Sequence, residues 1–157
     1  MTDEQRMLQD LVTRFVEREL MPLEPAVLQR EAEGGAYALT EEELAPLHAR
    51  CRELGLWGLD VPEELGGAAL PATSLVMVHE ALGRTVTPFT VPPDSPNLHM
   101  LLHAADAGQR ERFLLPYARG ETTSCIAISE PGAGGDPAGM LTKAVRDYFD
   151  EQNFLEI

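Results

Sequence analysis

The chain has 157 residues, 44% of them hydrophobic and 24% charged, enough for one well-buried domain that removes roughly 70% of its unfolded surface from water. This composition excludes a fibrous repeat and a disordered chain. With 12 basic and 26 acidic residues the formal charge is -14, a field that repels nucleic-acid phosphate and anionic lipid, so neither nucleic acid nor a membrane is an expected partner.

The opening MTDEQRMLQD lacks both a basic start ahead of an apolar core and an Arg-rich amphipathic pattern, and no run reaches the ~18 apolar residues of a membrane span. Cys51 and Cys125 have neither zinc-ligand nor disulfide spacing. A soluble, cytoplasmic protein in a reducing compartment is expected.

Residues 3–20 place Met7, Leu8, Leu11, Val12, Phe15 and Val16 on a helical stripe behind Thr2, with Gln5 three residues later to complete a capping box. Pro22 and Pro25 end or restart that helix. Thr40 with Glu43 opens a second helix carrying Leu44, Leu47, Cys51 and Leu54, which Gly55 stops. The segment Gly55 to Gly67, GLWGLDVPEELGG, reads as a compact loop packed on the core. Residues 72–84 predict a helix with Leu75, Val76, His79 and Leu82 on one face, and the proline-rich VTPFTVPPDSP that follows forbids regular helix. Short helices are predicted over 96–105 and 109–118, the latter carrying Phe113, Leu114 and Tyr117.

At Thr122 the period changes. TTSCIAIS has the β-branched content of a buried strand, EPGAGGDPAG is a glycine and proline loop, and MLTKAVRD alternates like a second strand. The predicted fold is therefore mainly α, a helical bundle over 1–120 followed over 121–157 by the first strands of an incomplete β-domain. Two or three strands without a partner sheet are marginal in isolation.

The stretch Ile126 to Ala144 carries the most chemical information. A strand running into a glycine-dense loop presents free backbone N–H groups and lets a ligand approach the main chain. It is not a P-loop, since no Gly-Lys-Ser/Thr follows, and Asp136 with Pro137 interrupts the spacing of a dinucleotide fingerprint. Physics alone leaves a structural glycine turn and a ligand-holding loop both open.

The run AISEPGAGGDPAG resembles the signature of acyl-CoA dehydrogenases: a small-residue strand, Ser or Thr, Glu-Pro, a glycine-rich tripeptide that is usually Gly-Ser-Asp, and a later Thr-x-Ala. LGLWGLDVPEELGG, HEALGR and GQRERFLLPYARGE are similar to upstream segments of that family in order and spacing. The resemblance implies a flavoprotein that uses FAD for the α,β-dehydrogenation of an acyl-CoA substrate and passes electrons to an electron-transfer acceptor, the full-length protein being a homo-oligomer. It implies that Ile126 and Ile128 flank the isoalloxazine ring, that Ser129 hydrogen-bonds it, and that the amides of Gly134 and Gly135 lie near the flavin pyrophosphate or the thioester ligand.

Two departures qualify this. Gly135 stands where the family has serine, which removes a hydroxyl from the site, and YFDEQNFLEI lacks the Asn-Gly-x-Lys strand. The family's carboxylate base, which takes the pro-R α-proton, comes from a carboxy-terminal helical domain, so no catalytic residue is expected here and the chain alone is expected to be inactive. Glu130 precedes a proline and reads as a brace of the turn, not the base. His99 and His103, four apart with Asp106 beyond, lack a further ligand, so no metal is expected. His48 and His79 are solitary, and Cys125 has no basic neighbour to activate it. Two other readings stand beside the first: a non-catalytic helical interaction module or subunit of a composite flavoprotein, and another flavoenzyme that shares the helical domain.

Overall fold

The computed structural model describes residues 1–93, 95–124 and 131–132. It divides into two compact units, Met1–Pro93 and Asp94–Ile157. The described residues are mainly helical, as the sequence predicts, and contain no strand. The predicted strands lie outside them, apart from the lead-in at Thr122 to Ser124.

In the first unit, helix α1 (Asp3–Phe15) begins at the predicted capping box, with Thr2 and Gln5 each bonding the other's backbone amide. Pro22 and Pro25 restart the helical path and do not end it. A π-turn over Val16–Leu20 is followed by a 3-10 turn over Met21–Leu23 and then by α2 (Glu24–Ala32). The Glu24 amide bonds the Met21 carbonyl, one residue short of its α-helical partner. That leaves the Leu20 carbonyl to the Thr87 hydroxyl, which donates to it at 2.8 Å in a buried setting. A buried carbonyl needs such a partner, and the proline-rich crossing supplies it.

Helix α3 (Glu41–Glu53) starts at the second predicted capping box, Thr40 with Glu43. Both carboxylate oxygens of Glu43 also accept from Nη2 of Arg30, at 2.8 and 3.0 Å, so one carboxylate caps α3 and ties it to α2. The Thr40 backbone amide, more than the Arg30 charge, holds the Glu43 carboxyl below its ordinary range. Pro46 lies inside α3 without ending it.

Helix α4 (Ala72–Leu82) packs on α1 through a face that only partly coincides with the predicted one, Leu82 lying in the core and Leu75 packing against it as expected. Ser74, Val78, Ala81 and Leu82 are buried, whereas Val76 is 65% exposed and His79 is exposed. ATSLVMVHEAL is apolar almost all round, so its periodicity does not single out a side. Met7 of α1, expected on the core stripe, is also exposed. The core gathers Val12, Phe15, Val16 and Leu20 against Leu47 and Cys51 of α3, Leu56 and Leu59 of the loop, and Val78 and Leu82 of α4.

The loop from Gly55 to Gly67 folds on the core as predicted. Its backbone pairs with the segment that follows, Leu70 to Leu59 at 2.7 Å and Ala68 to Gly58 at 2.9 Å, and the Gly58 amide reaches Pro92 at 2.8 Å. Gly67 is required by packing: a Cβ there would come within 2.1 Å of the Val61 carbonyl oxygen.

The second unit opens with α5 (Ser95–Ala104) and continues through α6 (Ala107–Gln109), a π-turn (Arg110–Leu114) and α7 (Leu115–Arg119). This path starts two residues before the predicted helix, at a third capping box that pairs Asp106 with Gln109. Leu98, Leu114, Tyr117 and Ala118 are the buried hydrophobic residues among those described in this unit, Asn97 is buried beside them in the sequence, and the Arg110 guanidinium donates to the Leu102 carbonyl at 3.1 Å.

Candidate functional site

Ile126, Ile128, Ser129, Gly134 and Gly135, the residues expected to meet a flavin, lie outside the described residues, as do Cys125 and Glu130. What the structure shows is how the chain is delivered to them. Helix α7 ends at Gly120, whose φ of 74° lets its amide bond the Tyr117 carbonyl and that of Glu121 the Pro116 carbonyl, both at 2.9 Å. Three residues further, Asn97 of α5 donates from Nδ2 to the Ser124 hydroxyl at 2.7 Å. The chain therefore reaches the predicted strand fixed at both ends of a four-residue connector.

Beyond the predicted strand, Pro131 and Gly132 form an exposed turn, and a Cβ on Gly132 would meet no described atom within 4 Å.

Elsewhere the titratable groups serve packing. His48 sits edge-on to Trp57, with ring centroids 5.6 Å apart, and 6.2 Å from Phe89. Burial, then the Arg52 charge, lowers its pKa, opposed by Glu41. Arg52 in turn lies over the Trp57 ring at 3.4 Å, a cation–π contact. Burial pushes the Cys51 thiol up to about 12, which removes it as a nucleophile. His99 and His103 are exposed on α5, and among the described residues no three His, Cys, Asp or Glu side chains come together to hold a metal. No helix among them is long and apolar enough to cross a membrane.

Sequence reasoning missed Asn97. Within SPNLHMLLHA nothing marks its amide as buried, because its partner Ser124 is 27 residues away. The third capping box was legible, since Asp106 precedes Gln109 by three residues.

Comparison with known proteins agrees with this architecture. The model of the acyl-CoA dehydrogenase N-terminal domain matches residues 2–121. The chain is 38% identical over 155 residues to (R)-benzylsuccinyl-CoA dehydrogenase of Thauera aromatica, covering 94% of this chain and 38% of that protein. It is 30% identical over 153 residues to the caffeyl-CoA reductase-Etf complex subunit CarC of Acetobacterium woodii, covering 94% and 38%. Among solved structures, butyryl-CoA dehydrogenase of Megasphaera elsdenii superposes with a TM-score of 0.65 at 26% identity, over 90% of this chain and 36% of that one. A glutaryl-CoA dehydrogenase of Mycobacterium smegmatis in complex with FADH2 shares the fold, with a TM-score of 0.65 at 21% identity over 89% and 34%. The chain thus spans 38% or less of the length of each of these proteins. It belongs to the acyl-CoA dehydrogenase family and carries that family's helical N-terminal domain.

Proposed function

We propose that the chain supplies the helical wall and the flavin-facing segment of an enzyme that removes hydrogen across the α,β bond of acyl-CoA thioesters, and that it is inactive alone. The observation that carries this reading is the family match over residues 2–121, which ends where the pinned Ser124 leads into Ile126 to Gly135.

When bound, FAD would accept the hydride, which carries the two electrons, from the β-carbon. Toward it, Ile126 and Ile128 would flank the ring and exclude water, the Ser129 hydroxyl would hold the ring edge, and the Gly134 and Gly135 amides would meet the pyrophosphate or the thioester. Gly135 would do this through its main chain, having no hydroxyl. The pro-R α-proton needs a carboxylate base, which in this family belongs to the carboxy-terminal helical domain. The same reading assigns 1–120 to the all-α domain and 121–157 to the start of a β-domain.

An electron-transfer flavoprotein as acceptor is supported by the name of the Acetobacterium woodii relative. FAD is supported by the FADH2 complex of the fold neighbour. In the longer protein we expect a homo-oligomer. The buried free thiol of Cys51 supports a cytoplasmic location.

Gel filtration of the purified chain after mixing with FAD, followed by butyryl-CoA and a redox dye, tests the proposal. The expected result is little retained flavin absorbance and no dye reduction. Stoichiometric flavin retention or turnover by this chain alone would overturn the claim that its site is incomplete.

A further inference from the structure

Two segments far apart in the chain meet on one imidazole. His48 of α3 is half-buried, with the Trp57 ring centroid 5.6 Å away and that of Phe89 at 6.2 Å. Trp57 belongs to the glycine-rich loop and Phe89 to the proline-rich crossing. The backbone ties the same two segments, the Gly58 amide donating to the Pro92 carbonyl at 2.8 Å. One turn along α3, the Arg52 guanidinium already lies over the Trp57 ring at 3.4 Å. A second cation at His48 therefore meets like charge at the ring that would attract it. Burial opposes the imidazolium most and Arg52 next, while Glu41, which favours it, acts least. Of the segments packed against His48, the loop carries Asp60, Glu63 and Glu64, and the crossing from Thr85 to Pro93 carries no titratable side chain.

We propose that His48 is an acid-sensitive latch: neutral, it holds the Trp57–Gly58 corner against Phe89–Pro92, and protonated, it loosens that corner while the rest of Met1–Pro93 stays folded. A neutral imidazole packs against two aromatic rings at little cost, whereas an imidazolium demands hydration. The loosening is local because Leu56 and Leu59, on either side of the corner, are held in the core. The Leu70 amide also keeps its bond to the Leu59 carbonyl, at 2.7 Å. In the loosened state the imidazole is ordinary, so acid begins to favour opening below about pH 6.5, and the gain levels off once the closed state is itself protonated. The latch lies within Met1–Pro93 and does not rest on the flavin reading.

The test follows amide hydrogen exchange by NMR in the 157-residue chain from about pH 7 to pH 5, each rate taken relative to the free-peptide rate at that pH. It compares the wild type with His48→Gln, which keeps a planar polar side chain that does not titrate, and with His79→Gln, which removes an exposed histidine of α4. In the wild type and in His79→Gln, protection of the Gly58 amide should fall at least about threefold over this range. In His48→Gln it should stay constant. Below about 1 M urea, Gly58 protection should hardly change while that of Val12 falls steeply, because a local opening exposes little surface.

Constant Gly58 protection in the wild type, or a fall that persists in His48→Gln, would overturn the proposal. So would a Gly58 amide as sensitive to urea as that of Val12, since the corner would then open only when the whole unit unfolds. If His48→Gln does not fold, the wild type decides alone. Its Gly58 protection must level off at the pH where the His48 ring protons titrate, and a fall that tracks any other midpoint overturns the latch.

Discussion

Burial and the Arg52 charge lower the pKa of His48 from an ordinary value of 6.5, so its neutral form is favoured in the folded state. Its contribution is therefore complete above about pH 6.5 and is lost as pH falls through the lowered value. Urea midpoints should fall between about pH 7 and 5 in the wild type and fall less in His48→Gln. An equal fall in both would assign the pH dependence to other groups. Gly67 makes a sharper demand. With Val61 main chain 2.1 Å from the position of a Cβ, Gly67→Ala should cost at least about 2 kcal/mol, read as a lower denaturant midpoint at unchanged slope. The sequence shows a glycine-rich turn here, but which of its glycines is sterically obligatory depends on the approach of Val61, six residues earlier, and no local pattern encodes that.

Among the elements, the restarted helix between α1 and α2 depends on a side chain from far along the chain. Thr87→Val keeps the shape and removes the donor to the Leu20 carbonyl, leaving it buried without that partner. A loss of about 1–3 kcal/mol is expected in chemical denaturation. Thr87→Ser, which retains the hydroxyl, should recover most of it. Helix starts were legible because capping boxes are local: Thr2 with Gln5 and Thr40 with Glu43 form the predicted reciprocal bonds. The α4 face was legible only in part: Leu75 and Leu82 lie on the core side as predicted, but Leu75, Val76, Met77 and Val78 are consecutive and apolar, and the choice of Val78 over Val76 is made by packing against α1. The prolines at 22 and 25 were legible as a disturbance of the helix. Their outcome, a widened turn followed by a tightened one, depends on the tertiary bond from Thr87.

For the molecule as a whole, family membership was readable from ordered motifs because a glycine-rich loop and its upstream segments keep their spacing even where single residues depart, as Gly135 does. The candidate site was readable as residue types and not as geometry, since the roles proposed for Ile126 to Gly135 depend on a cofactor, whose placement no local pattern encodes. The central claim is that this segment faces a flavin. Titrating FAD into the isotopically labelled chain and mapping amide shifts tests it most directly. The account predicts perturbations at Ile126, Ile128, Ser129, Gly134 and Gly135, weak and reversible, with the amides of Met1–Pro93 unmoved. Shifts confined to that first unit, or none at those five residues at any FAD concentration, would contradict it.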